Sequence, residues 1–320
     1  MSWPRFLFIM LPLALFVLAV VAEGAAMALN GVSPRRHDLD RIVAGLEHVK
    51  LDAPIVIAGD SVTQDILKKF EVAPPGKIAN LTTNQASGLI GTAFLLRRYL
   101  ERNAPPRHLV IAATPEFYGY NPGDAAAQVY LTSVFRRADE KAELARLGIG
   151  AHDRWRPAAL KIKERLWDKW TGLVAPVATD LPVGDARPEP AALESAPTMP
   201  HVAAAIAARA RIALGVSSSA LRAFALICAA SAQYGFSLHL VRAPLPETVL
   251  VVRGASDDLN ALLRAATADC AAVVIDDMNS RQVFPDYAFR DPDHLRRPDW
   301  TALYGRLLAD YIAKLIPGPI

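Results

Sequence analysis

Apolar and polar positions alternate along most of the chain in short blocks of two kinds. Residues 38–48 set Leu39, Ile42, Val43 and Leu46 on one helical face. Pro54 to Ala58 is an unbroken apolar run of strand length. It gives way to the polar triplet Gly59-Asp60-Ser61 and a helix predicted from Thr63 to Phe70. Lys77 to Asn80 predicts a second short strand. Ser87 to Arg102 predicts a helix with Leu89, Ala93, Leu96 and Leu100 inward, and His108 to Ala113 a third strand. After a break the rhythm resumes. A long Ala-rich helix is expected over about 202–234, a strand over Phe236 to Val241, a helix over 256–268 and a strand over Ala272 to Asp276. A closing helix from Trp300 to Leu315 follows the Pro298-Asp299 start signal. Continuous apolar strands alternating with helices predict an α/β fold. Three layers are expected, with a mostly parallel five-stranded sheet covered on both faces.

Two stretches depart from this rhythm. Phe6 to Ala22 is an uncharged run of 17 residues, and after Glu23 it continues as Gly24 to Leu29. At about 1.5 Å per residue the uncharged part spans roughly 25 Å. It reads as a transmembrane anchor over residues 6–29. The rival reading is a signal peptide with Arg5 as its n-region and a cleavage site at Ala26-Met27-Ala28. The other stretch is the middle of the chain. Residues 125–172 look helical, with a basic and aromatic run from Arg154 to Trp170. That run is a solvated helix face with its tryptophans inward, or a surface resting on anionic lipid head groups. Residues 173–200 hold six prolines and read as a loop. The expected organisation is an N-terminal segment over 1–30 and one α/β domain over 31–320 with an insertion at about 125–200.

Composition narrows the class. The chain has 320 residues, 52% hydrophobic and 21% charged, with 35 Lys+Arg against 32 Asp+Glu. That excludes a disordered chain, a coiled coil and a multi-span membrane protein. The net charge of +3 is too balanced for nucleic acid to be the main partner. Arg35, Arg36 and Arg41 follow the apolar run, and a positive-inside count would put the domain in the cytoplasm. An export signal points the other way. Cys228 and Cys270 lie in apolar surroundings and are expected as two buried free thiols, with a disulfide as the alternative in an exported protein.

Two short segments carry chemistry. Gly59-Asp60-Ser61 leaves a buried strand and enters a helix. This places Ser61 at the carboxyl edge of the sheet and at a helix N-terminus, where free N–H groups favour developing negative charge. Asp291-Pro292-Asp293-His294 lies between the last strand and the last helix. An aspartate three residues before a histidine on a tight turn can fix one tautomer, leaving the other ring nitrogen to take a proton from a serine.

With these blocks the chain resembles the SGNH (GDSL-like) hydrolase and acyltransferase superfamily over about 54–113 and 216–316. Gly59-Asp60-Ser61 matches its first block, and Asp291 with His294 its last. The resemblance implies Ser61 as nucleophile, His294 as general base and Asp291 as its orienting partner. It also implies an oxyanion glycine after the second strand, matched by Gly88 and second by Gly91. The family's Gly-x-Asn-Asp block after strand three is replaced by Ala113-Thr114-Pro115-Glu116-Phe117-Tyr118. Asn84, Thr114 and Tyr118 stand as candidate substitutes for its oxyanion donor. Loss of that block, together with an N-terminal membrane segment, is similar to the divergent envelope branch, the DltD-like and alginate O-acetylation proteins. The resemblance then implies acyl transfer to, or removal from, an envelope polysaccharide beside a membrane-bound acyltransferase, on the exported side of the membrane. The alternative is a non-catalytic envelope protein on the same fold that binds polysaccharide or scaffolds such an acyltransferase. No metal and no organic cofactor is expected. The remaining histidines (His37, His48, His108, His152, His201 and His239) read as structural. Asp276-Asp277 reads as a strand-end turn, and Arg290, Arg296 and Arg297 as surface charge or an anion contact.

Overall fold

The computed structural model describes residues 10–30, 38–123, 125–150, 184, 186–187, 189, 193, 197–253, 257–296 and 298–316. Helix α1 (Leu11–Asn30) forms a unit separate from the sheet domain that begins at Asp38. Leu13, Leu15, Phe16, Leu18 and Val21 on α1 are each more than half exposed. Among the described residues no helix is long and apolar enough to cross a membrane, so the expected span finds no support there. The basic run Arg154 to Trp170 and most of the proline-rich loop lie outside the described residues.

The domain is built on five parallel strands in the order β2-β1-β3-β4-β5. They are β1 (Ile55–Gly59), β2 (Ile78–Asn80), β3 (His108–Ala113), β4 (Ser237–Arg242) and β5 (Val273–Asp277). Every residue of β1 and β2 is buried, as expected where helices cover both faces. The period of two divides β1 to β4 between two cores. Val56, Ala58, Leu109, Ile111, Leu238 and Leu240 face one layer. It contains α2 (Asp38–His48), α4 (Gly88–Leu100), α9 (Ser218–Tyr234) and α11 (Asp257–Ala266). Ile55, Ile57, Val110, Ala112 and Val241 face the other. That layer contains α3 (Ser61–Leu67), α8 (Pro200–Ala210), α10 (Glu247–Arg253) and α12 (Asp299–Leu315). The three-layer expectation therefore holds, with a fully parallel sheet.

Three expectations are corrected. The single Ala-rich helix is two, α8 and α9, broken over 211–217. Ser217 starts a new helix there by accepting the Ala220 N–H at 3.1 Å. The short helix α10 lies in a stretch for which the sequence pattern predicts no element. The cysteines are not free thiols, because Cys228 on α9 and Cys270 after α11 form a disulfide. The two helices carry the thiols to Cα atoms 4.4 Å apart, a distance hydrophobic context alone does not encode.

The first part of the expected insertion is core rather than appendage. Helices α6 (Ala125–Val134) and α7 (Ala138–Arg146) bury Tyr130, Leu131, Val134, Phe135 and Leu144 against the first layer. Glu140 of α7 takes a two-pronged contact from Arg98 of α4, at 2.7 and 2.8 Å, with both side chains buried. A fork of this kind fixes the helix orientation as well as neutralising the buried charge.

Candidate active site

The strand order reverses direction at the β1–β3 pair, and in open sheets the crevice beyond such a pair is where ligands bind. Gly59 closes β1 against β3 so tightly that a Cβ there would lie 1.9 Å from the Ala112 carbonyl oxygen. Asp60 follows, 2% exposed, and caps α3 by accepting the Val62 and Thr63 N–H groups on Oδ1. Its Oδ2 accepts the Thr114 N–H at 2.8 Å and the Thr114 hydroxyl at 2.7 Å. One buried carboxylate thus ties the ends of β1 and β3 together. Burial pushes the Asp60 carboxyl above its usual range, and the four donors only partly pull it back.

Ser61 is the first residue of α3, so its own N–H has no intrahelical acceptor. Its Oγ lies 3.0 Å from His294 Nε2. His294 sits in a turn between β5 and α12, closed by an antiparallel bridge between Phe289 and Leu295 and by Arg290 N–H donating to the His294 carbonyl at 2.9 Å. Asp291 Oδ1 accepts the Asp293 N–H at 2.9 Å, the His294 N–H at 2.8 Å and His294 Nδ1–H at 3.0 Å. With the proton on Nδ1, the Nε2 lone pair faces the serine. The hydrogen bond to Asp291 holds the His294 imidazole above its ordinary pKa, against burial. Burial works to raise the Asp291 carboxyl, but the imidazole and the two N–H groups outweigh it and hold it well below the carboxylate range. A shallow depression beside His294 is lined by Val62, Asp65, Ile66, Leu295 and Thr301. Arg290 reaches Asp65 at 3.2 Å across its rim.

The proposed oxyanion residues do not gather there in the same way. Gly88 has a φ of 55° that favours glycine, and its N–H donates to Gln85. Asn84 caps that same 3₁₀ turn, accepting the Ala86 N–H at 2.9 Å. Gly91, on α4, is packed against Ser87, whose Cβ would be 2.8 Å from an added methyl. Thr114 is buried with both donors on Asp60. Tyr118 is fully buried, stacked on Phe224, with its hydroxyl directed to the Ile111 carbonyl, and burial pushes that hydroxyl far up. The helix-start N–H of Ser61 is a donor in place at the nucleophile.

Sequence reasoning missed three charged residues beside the turn. Arg209, 5% exposed at the end of α8, forks onto Glu116 with Nε–Oε1 at 2.9 Å and Nη2–Oε2 at 2.6 Å. The same guanidinium donates to the Pro292 carbonyl and reaches Asp293 Oδ1 at 3.2 Å. Arg253, at the end of α10, lies 2.8 Å from Glu116 Oε1 and donates to the Arg209 carbonyl at 2.7 Å. Burial works to raise the Glu116 carboxyl, but the two arginines overcome it and hold it below its ordinary value. The available signal was a lone glutamate behind β3 and isolated arginines closing two apolar helices.

Other polar groups singled out in the sequence are paired. Asp276 meets Arg281 and Asp277 meets Arg242. His239 lies between His108, at 3.0 Å, and the Tyr311 hydroxyl, at 2.8 Å, and burial pushes its pKa down to about 4. No protein-family model matches the chain, and comparison with characterised proteins finds no relative.

Proposed function

We propose that the chain is an SGNH-type serine esterase or O-acyltransferase of the cell envelope. The observation that carries this reading is the continuous line Ser61 Oγ–His294 Nε2–Nδ1–Asp291 Oδ1, 3.0 Å at each step, at the sheet's switch point. Ser61 Oγ attacks an ester carbonyl while His294 Nε2 takes its proton. The carbonyl oxygen becomes an oxyanion facing the Ser61 N–H at the start of α3, with Gly88 as the second donor if its turn opens. Collapse breaks the ester bond, and the leaving alcohol takes the proton back from His294. A second hydroxyl, from an envelope sugar or from water, then gives its proton to His294 and attacks the acyl-Ser61 ester, and His294 returns that proton to Ser61 Oγ as it leaves, restoring the free serine. The choice between sugar and water is the choice between transferase and esterase.

The disulfide supports an exported domain, since such bonds persist in oxidising compartments. A membrane anchor over residues 6–29 is proposed from the uncharged run Phe6 to Ala22 alone, with a membrane-bound acyltransferase as the neighbouring partner. A phosphatase fusion after Ile316 that is active only outside the cytoplasm tests the location. Cleavage after Ala28 would make the domain secreted.

The chemical test is labelling by a fluorophosphonate and turnover of an aryl acetate. Wild type is expected to label at one site and Ser61→Ala not at all. Equal labelling of the two, or none of wild type, would overturn the enzyme reading. The second reading, a non-catalytic polysaccharide-binding or scaffolding protein, is favoured by the spent donors at Gly88 and Thr114.

A further inference from the structure

Behind the His294 turn lies a cluster of charged residues outside the Ser61–His294–Asp291 line. Arg209 spends its guanidinium in three directions, on the Glu116 carboxylate, the Pro292 carbonyl and the Asp293 carboxylate. Two of these acceptors belong to the four-residue turn that carries Asp291 and His294. The third stands two residues past the Thr114 that grips Asp60. The acceptors lie on two separate elements, so Arg209 is where the His294 turn is referenced to the end of β3.

Arg209 is itself held in place. Val202, Ile206 and Ala210 bury one face of α8 in the second core, and α8 packs on α10. Arg253 of α10 braces both the Arg209 carbonyl and the Glu116 carboxylate. Two arginines facing two carboxylates make the group neutral, so its burial leaves no charge unmatched. A planar fork locked at Glu116 leaves the remaining N–H groups with fixed directions, and these point at the turn.

From this arrangement we infer that Arg209 is a positioning residue. Clamped by Glu116, it holds the Asp291–His294 turn in the register that keeps His294 Nε2 on Ser61 Oγ. The segment Thr114-Pro115-Glu116 then serves the site as a brace, Thr114 through Asp60 and Glu116 through Arg209. The catalytic consequence rests on the serine acyl-transfer reading, whereas the geometric claim does not.

The test uses the full chain. Arg209→Met with Glu116→Gln removes one charge of each sign, so the net charge of the group, now Arg253 and Asp293, stays zero. Arg209→Lys keeps the charge and loses the fork. Asp293→Asn, at a 42% exposed side chain, weakens the contact at its solvent side. Thermal melting shows which variants fold. Two readouts follow, the rate of fluorophosphonate labelling and the titration midpoint of the His294 imidazole by NMR. The groups facing that imidazole, Asp291, Asp293, Arg290 and Asp65, stay intact in the double variant.

The double variant is expected to melt as a folded protein and to label about 100-fold more slowly, the cost of a misplaced base. KM for an aryl acetate should stay unchanged while kcat falls. The His294 midpoint should drop toward the ordinary 6.5 as the Asp291 contact loosens. Arg209→Lys should recover part of the rate and Asp293→Asn should lose least. A folded double variant with wild-type labelling and midpoint overturns the inference. So does a slower rate that only follows a lower melting point while the midpoint stays fixed. If wild type itself does not label, the acyl-transfer reading fails, and the midpoint still decides whether Arg209 sets the turn. Should even the double variant not fold, Arg209→Lys carries the same comparison, since it leaves every group facing the imidazole in place.

Discussion

Ser61 leaves a strand whose five residues are all buried, while His294 sits in a turn whose two aspartates are each 42% exposed. The serine is placed by sterics and backbone. Gly59 lets β1 close on β3, Asp60 satisfies both strand ends, and α3 starts where it must. The histidine sits between the buried Phe289 and Leu295 and is oriented by polar contacts, three of them converging on a single oxygen of Asp291. Damage at the first position should therefore appear as loss of fold, and damage at the second as loss of chemistry with the fold intact.

The largest expected effect lies on the serine side. Gly59→Ala would drive a methyl to 1.9 Å from a backbone oxygen in the middle of the sheet, and neither strand can move away without opening both cores. The cost should exceed about 4 kcal/mol, enough to leave little folded protein. A cooperative melt near the wild-type temperature would show that the β1–β3 contact is looser than this geometry requires.

Asp291→Asn makes the opposite case. The amide oxygen can still accept the Asp293 and His294 N–H groups, so the turn should survive. The amide can also donate to Nδ1 and so favour the wrong tautomer. Labelling is expected to fall by about 10⁴-fold, with melting at pH 8 little changed. A melting loss as large as that of Gly59→Ala would erase the distinction between the two sides.

The disulfide supplies a lesion remote from both. Replacing Cys228 and Cys270 by Ser opens a link across 42 residues on the face opposite α3 and α12. The expected loss is about 2–4 kcal/mol in denaturant unfolding, and labelling per folded molecule should not change. A lower labelling rate at full folding would mean that this face also sets the serine.

What could be read from the sequence follows the same division. β3 was predicted at its observed ends, and β1 and β4 within one residue at each end, because strands buried on both faces are written as continuous apolar runs. Ser61, Asp291 and His294 were legible because each lies within three residues of the groups that orient it. Gly88, Asn84, Thr114 and Tyr118 were picked by position after a strand. The direction of a side chain or N–H there is settled by turns and packing that spacing does not encode. Arg209 and Glu116 are 93 residues apart and meet only through the stacking of α8, so no local pattern announces them.

The smallest expected effect is also the one that separates a poised base from a merely adjacent one. The His294 pKa is raised from 6.5 by Asp291, and acylation needs the neutral ring. The labelling rate should therefore climb along a limb whose midpoint lies above pH 6.5. Stability runs the other way. A raised folded-state pKa gives a contribution that is complete below about pH 6.5 and fades as pH rises through the folded value. The melting difference between wild type and Asp291→Asn should then be widest in acid and narrow toward pH 8. In Asp291→Asn the rate limb should move to lower pH, because burial and the Arg290 charge then act on the imidazole without their main opponent. A wild-type limb at or below pH 6.5, or one that stays in place in Asp291→Asn, would mean that the contact at 3.0 Å does not tune the base in solution.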